Sequence, residues 1–342
     1  MSLTVAPNVD FTSAPSQAAF KTALNTLLNE MRTNGAALGD IRGIKNSFIN
    51  AAMRVDWRNR GSAQTITAGA ALAYTVDRWY AYCTGANVTG QQITASGQKR
   101  YRFTGAASVT GVGFAQRIAA ENSAHLASTT ATVQVKLASS SLTSIGWAAY
   151  YANTTDTFGT LASPTRTSIA SGTFTINSTE ATYSAQISVP SGAITGIEIV
   201  FTGGALLGSQ TLTIGDAQLE AGASLTPFDR IPLTADIAAC SYYLPVINFG
   251  GYGFTGQAYS ASSTRTWVAF PFPARVAPTG CSSLTGLTAS AANLASAGGT
   301  PTFASATTSG ASIDVSGASG LTLGYASALQ GTANVHFNGC EL

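Results

Sequence analysis

Apolar and polar residues alternate with a period of two in many short runs. AYTVDRWYAY (73–82), ATVQVKL (131–137), TFTIN (173–177), TYSAQISV (182–189), GIEIVF (196–201) and QTLTIGDAQLE (210–220) all show it. In extended chain, successive side chains point to opposite faces, so each run predicts a strand with one face on a core. Thr, Val, Ile, Tyr and Phe dominate the runs, and Gly, Asn, Ser and Pro separate them. Short strands with regular turn signals predict a β-sandwich, and the length of this region suits a jelly roll with long loops.

The pattern changes at both ends. SAPSQAAFKTALNTLLNEMRTNG (13–35) reads as one helix, with Ser13 as N-cap, Pro15 in the first turn and Asn34-Gly35 as the stop. Phe20, Leu24, Leu27, Met31 and Leu38 follow heptad spacing, with Asn34 at the intervening core position. That seam suits either self-association, most simply as a trimer, or packing on the chain's own domain. Past residue 232, ADIAACSYYLPVI reads as a helical or irregular entry. RTWVAFPFP, SIDVSG, LTLGYAS and ANVHFNGCEL then read as strands. NFGGYGFTGQAY (248–259) reads as a Gly-rich, loop-like stretch, and SAANLASAGGTPTFASATTSGA (290–311) as a loop of small residues. The expected fold is mainly β: an N-terminal helical segment over residues 1–50, a jelly-roll β-sandwich over 51–232, and a second, smaller antiparallel β domain over 233–342.

Composition narrows the class. Charged residues make up 9% of the chain, against about 25% in globular chains, while hydrophobic residues make up 45%. Ala, Ser, Thr and Gly fill the gap, a mixture that suits extended sheets, close backbone packing and neutral, hydrated surfaces. A net charge of +2 does not suit a general nucleic-acid or membrane-surface binder. The densest basic groups, Arg54, Arg58 and Arg60, then Lys99, Arg100 and Arg102, read as solvated strand edges and turn anchors. No stretch approaches the roughly 20 apolar residues of a membrane span. MSLTVAPNVD lacks the basic and apolar regions of a secretory signal.

Cys83, Cys240, Cys281 and Cys340 form no CxxC pair, and His125 and His336 have no paired ligand, so no metal site is expected. Cys240 and Cys340 bracket the last segment and are near enough in the pattern to meet. Buried thiols are the expectation for them.

AQLEAGASLTPFDRIP (217–232) is the most specific stretch. The apolar register shifts after Ile214, which predicts a bulge near Gly215-Asp216. Thr226-Pro227-Phe228 then pins the chain, with Phe228 plugging the sandwich base and Asp229-Arg230 offering a charged clamp. The stretch closes one domain and aims the next.

Together with LTADIAACSYYLP, this stretch resembles the "QLE-x-G-x-x-x-TPFE/DRR … L-x-x-CxRYY" signature of bacteriophage tail-fibre and related virion proteins. NSFINAAMRVDWRNRG (46–61), YTVDRW (74–79), FPFPARVAPT (270–279) and the terminal NGCEL are similar to further motifs of that family, in order, from about residue 45 to 342. Trp57, Ser241 and Ala274 depart from the pattern. The resemblance implies a carbohydrate-binding-module-like jelly roll and a small β domain in a homo-oligomeric fibre or spike of the virion. Such a chain is made in the host cytoplasm without a signal peptide. Its partners would be other virion proteins, through the N-terminal segment, and a host-surface glycan.

Sugars are gripped by aromatic faces, aided by planar amides and carboxylates. The expected ligand-binding residues are Trp147, Tyr150, Tyr151, Asn153 and Asp156 in GWAAYYANTTD, with Tyr252 and Tyr259 in NFGGYGFTGQAY. Trp57 and Trp79 are expected in the core. No catalytic residues and no cofactor are expected: the 15 acidic residues show no marked pair, and GxSxG, P-loop and HExxH motifs do not occur. Asp216 matches the place of a calcium-ligating acid in jelly-roll sugar-binding modules, with the alternative that it simply ends a strand ladder.

Overall fold

In the computed structural model, residues 45–69, 71–291 and 296–342 are described, Tyr252 by its backbone alone. The expected N-terminal helix and its heptad seam lie outside these residues. The alternating runs form two six-stranded antiparallel sheets. In the first the order is β1 (Gln64–Ile66), β4 (Val88–Ala95), β5 (Gln98–Thr104), β12 (Thr211–Ala221), β7 (Thr130–Ser139) and β10 (Ala181–Ser188). In the second it is β2 (Ala73–Tyr74), β3 (Tyr80–Thr84), β6 (Gly111–Ile118), β11 (Ile197–Gly203), β8 (Ser144–Ala152) and β9 (Arg166–Thr175). Early and late strands interleave in both sheets, as in a jelly roll.

The inward faces meet over one core. Phe114 is stacked between Trp79 and Tyr101, with both ring pairs at 4.9 Å, and Phe48 packs on Trp79 at 5.0 Å. Val133, Val135, Leu137, Ile199, Phe201, Ile214 and Leu219 complete it, each essentially without solvent contact. Trp79 is thus in the core as expected, while Trp57 is half-buried.

YTVDRW is a buried corner and not part of a continuous strand. Between β2 and β3 the chain turns, with Arg78 at φ 73°. Asp77 Oδ2 accepts from Trp57 N at 2.6 Å, and Arg78 Nη2 donates to the Arg117 carbonyl at 2.6 Å. All six residues from Thr75 to Tyr80 are buried, so the polar positions of the sequence alternation are paired inside and not turned to solvent.

The TPFDR stretch folds back along β12. The bulge falls between Gly215 and Gln218, as the register predicted. Gln218 and Glu220 then hold the returning chain. Gln218 Nε2 donates to Thr226 Oγ1 at 3.1 Å, and Gln218 Oε1 accepts from Asp229 N at 2.6 Å. The Thr226 hydroxyl donates to Glu220 at 2.7 Å. Phe228 is partly buried against the sandwich core.

After the short helix α1 (Ala120–Ser123) within the sandwich, a longer helix, α2 (Leu233–Tyr243), leads from the sandwich to a third antiparallel sheet. Its order is β17 (Ser296–Gly298), β16 (Leu287–Ser290), β20 (Ala326–Asn338), β13 (Val246–Ser260), β14 (Ser263–Ala269), β19 (Gly310–Ser316) and β18 (Thr300–Thr307), with β15 (Gly280–Ser282) on β20. A separate core of Phe249, Val268, Ile313, Val315, Leu329, Val335 and Phe337 lies on one face.

LTLGYAS (321–327), expected as a strand, is a turn closed by Tyr325 N donating to the Thr322 carbonyl, and β20 opens only at Ala326. Two further segments differ from expectation. NFGGYGFTGQAY lies within the 15-residue strand β13, and the small-residue stretch after Ser290 contains β17 and β18. Neither has strong strand propensity. β13 is held by ladders to β14 and β20 on its two sides, and β18 by its ladder to β19. Tertiary pairing overrides local preference there.

Residues 46–342 form one unit, and the segment after β20 is tied into the sandwich. Glu341 is ion-paired to Arg78 and to Arg58, the latter at 2.9 Å. Arg275 Nε donates to the Cys340 carbonyl at 2.8 Å. The Arg78 guanidinium lies 3.6 Å above the Tyr243 ring at the end of α2. Arg78, Arg100 and Arg117 are buried and paired, so several of the basic residues are internal ties and not solvated edges. The cysteines are free thiols, with Cys83, Cys240 and Cys340 buried.

Candidate functional site

The outer face of the second sheet carries the largest collection of tyrosines on the sandwich. β3 places Ala81 and Cys83 inward, so Tyr80 and Tyr82 point outward. The pairing register then sets the floor beside them. Tyr80 faces Ala115, Val200 and Ala148 across successive strands, and Tyr82 faces Gly113, Thr202 and Gly146. A row of small residues therefore runs between the β3 tyrosines and β8, where Tyr150 rises on the far side. Tyr82 and Tyr150 are half-buried, and Thr202 in the floor is exposed. The Tyr82 ring lies over Gly113: a Cβ there would sit 2.1 Å from it and would push the ring aside. The tyrosines cover Ala115 and Val200, which leaves a shallow groove across the sheet with its open floor at the exposed Thr202 and the half-buried Gly146 and Ala148.

Polar groups close one end of it. Glu198, on β11 between Arg117 and Tyr150 in the register, has no solvent exposure. It accepts from Tyr80 Oη at 2.6 Å and from Arg117 Nε at 2.8 Å, and pairs with Arg166. The Arg166 guanidinium lies 4.0 Å above the Tyr150 ring. Burial pushes the Tyr80 hydroxyl up to about 12, against the pull of Arg117 and Arg166. Burial also raises Tyr82, opposed by Arg166. Both hydroxyls therefore stay protonated and able to donate at neutral pH. Tyr74 Oη and Arg117 Nη1 donate to the Leu342 main-chain oxygen at 2.8 and 3.0 Å, so the last residues form the stop at this end.

Of the residues expected from sequence, Tyr150 is in the groove. Trp147 points inward, 8% exposed, stacked on Phe174 at 6.1 Å, because it has the opposite parity on β8; it offers no face to a ligand. Tyr151 leans on the inner core. Asn153 is exposed in the loop after β8 and accepts from Thr167 Oγ1 at 2.7 Å. Asp156 Oδ1 accepts from Ala120 N at 2.8 Å, which fixes that loop to α1. Tyr252 and Tyr259 belong to β13 in the third sheet, and Tyr259 is exposed there. Sequence reasoning missed Tyr80, Tyr82, Glu198 and Arg166. The signals were present: two tyrosines two residues apart in YAY, and one acid inside the apolar run GIEIVF.

The Asp216 carboxylate meets Arg100 at 3.0 Å, Lys136 at 3.2 Å and Arg230 at 3.4 Å, and Arg100 also holds Glu180. Three cations around one carboxylate do not fit a calcium site, and no cluster of metal-ligating side chains occurs among the described residues. Asp216 is instead the charged anchor of the β12 bulge.

No protein-family model matches the chain, and no curated protein matches it by sequence. Among solved structures it is similar to one titled as CBM4, at 15% identity and TM-score 0.32, over 51% of this chain and 98% of that one. It is similar to TmCBM61 in complex with β-1,4-galactotriose, at 11% identity and TM-score 0.31, over 52% and 100%. It is also similar to the enzymatically active domain of bacteriophage CBA120 tailspike protein 4, at 13% identity and TM-score 0.29, over 52% of this chain and 21% of that one.

Proposed function

We propose that this chain is a glycan-binding adhesion protein, a fibre or spike component of a phage virion, which holds a saccharide in the groove on its second sheet and does not cleave it. The groove carries the reading: beside the exposed Thr202 and the half-buried Gly146 and Ala148, the half-buried rings of Tyr82 and Tyr150 offer aromatic surface to the C–H face of a sugar ring. The buried Glu198 and Arg117 are spent on internal partners, and they fix Arg166, 17% exposed above the Tyr150 ring, as the charged group a sugar hydroxyl would meet at the closed end. The binding mode without turnover is supported by Glu198, whose carboxylate is already engaged by two arginines and a tyrosine. A general acid needs a partner carboxylate at glycosidase separation and freedom to exchange a proton.

Binding of the full chain to a glycan array, with the Y82A/Y150A double variant alongside, tests this. Wild type should bind a saccharide class, and the double variant should lose about tenfold or more in affinity while keeping its Tm. Equal binding by both would remove the groove from the function. Copies held together on one particle would convert weak sites into avidity. Light scattering of the full chain is expected to show an oligomer, most simply a trimer, and a monomer would end that part. Antibody to the chain is expected to block adsorption of the phage that encodes it.

A further inference from the structure

The third sheet has a face that the groove does not use. β14 alternates strictly, burying Thr264, Thr266 and Val268 and exposing Arg265, Trp267 and Ala269. Trp267 is 45% exposed and Tyr259, on the neighbouring β13, is 49% exposed. Single exposed apolar residues are ordinary, but two aromatics lining one cleft form a patch that marks a contact surface. The Trp267 ring lies over Gly310, where a Cβ would come within 2.7 Å of it, so the ring is held flat against the sheet. Between the two aromatics Arg265 makes a two-pronged pair with Asp314, Nε to Oδ1 and Nη2 to Oδ2, both 2.7 Å. Its guanidinium also lies 5.6 Å from the Tyr259 ring centre. Tyr259, Arg265 and Trp267, with Thr255, Gln257 and Ser312, line a cleft of about 570 Å³, and Asp314 holds Arg265 from beside it.

We propose that this cleft is a second saccharide-binding site. It takes an uncharged sugar ring across Trp267 and Tyr259, with neighbouring hydroxyls on Arg265 and Asp314. Charge and hydration argue for this occupant. The ion pair sums to zero, so neither an anionic nor a cationic ligand is favoured. Its remaining N–H and carboxylate lone pairs suit hydroxyls that both donate and accept. A protein partner that dried this face would have to strip water from the central ion pair, at a large desolvation cost. A hydroxyl-rich ring replaces that water while its C–H face covers the aromatics. The site stands apart from the tyrosine groove and does not depend on it.

The test uses the full chain carrying Y82A/Y150A, so that the groove is silenced. Neutral hexasaccharides of β-1,4-glucose, β-1,4-mannose, β-1,4-galactose and α-1,4-glucose are titrated by calorimetry and tryptophan fluorescence. At least one should bind and shift the emission. W267A should weaken it about tenfold or more, Y259A should weaken it less, and W267F, which keeps a ring, should restore most of the affinity. Tm measurements confirm that each variant folds. Three results overturn the proposal: no hexasaccharide binds the groove-silenced chain; binding is unchanged in both W267A and Y259A; or sedimentation shows that Trp267 instead drives self-association, which assigns the face to a second copy.

Discussion

At the scale of single residues, burial of charge is the dominant theme. Asp77 is fully enclosed, and burial raises its carboxyl to about 7, opposed by the Trp57 amide and Arg58 and reinforced by Glu341 and Asp56. An unfolded Asp titrates near 3.8. Between those values the folded chain holds a proton that the unfolded chain has lost. The contribution of this group to stability is therefore greatest at low pH and falls as pH rises through about 7. Asp77→Asn, which keeps an oxygen for the Trp57 amide, should flatten the pH dependence of the urea midpoint between about pH 4 and 7. An unchanged slope would place the titration elsewhere. Gly113 makes a second prediction. Gly113→Val should displace the Tyr82 ring, lower stability by about 1–3 kcal/mol and abolish saccharide binding in the groove, read by thermal melts and calorimetry. Neither effect was legible in the sequence, where Asp77 and Gly113 look like ordinary strand and turn residues.

At the scale of elements, parity and pairing decide which side chains face a ligand. Trp147 and Tyr150 are three residues apart on one strand, and odd spacing puts one in the core and the other in the groove. Tyr80 and Tyr82 are two apart and share a face. Periodicity thus located the strands well, but choosing the outward parity required knowing which sheet each strand joined. The β12 bulge and its returning TPFDR segment were legible because the register slip is written in the residues themselves. Glu220 is 2% exposed, and the Thr226 hydroxyl is one of its donors. Thr226→Ala should cost about 1.5–3 kcal/mol, the range for a hydrogen bond to a charged group, while Thr226→Ser should be near neutral. Chemical denaturation measures both. Equal stability of all three chains would mean that the proline and Phe228 alone hold the turn.

At the scale of the whole molecule, the sandwich and the third sheet are joined by charges drawn from distant parts of the sequence. Glu341 sits 11% exposed against Arg78, which is 1% exposed, with Arg58 on its other side. Removing the acid leaves a buried cation, which typically costs about 3–5 kcal/mol. Glu341→Ala should lose that much in urea unfolding and should open amide exchange in β20 and at the 74–79 corner together. A loss confined to the last few residues would show that the tie is local. The same segment stops the tyrosine groove through Leu342, so the variant should also weaken saccharide binding at that end. With two saccharide sites on separate sheets, one chain would present two contact surfaces, and an assembly of copies several more.

The residue pattern alone left the segment after residue 232 open between helix and irregular chain, but it determined the β class, most strands of the sandwich and the bulge at Gly215. Each is encoded locally, by side-chain periodicity, turn residues or a register shift. The tertiary structure decided which tyrosines form a groove, that arginines are buried ties, and that Gly-rich and Ala/Ser-rich stretches of the last third are strands. Those outcomes depend on which strand lies beside which and on which charges meet when they do. Partners as distant as Arg78 and Glu341 leave no mark on either one's neighbours in sequence.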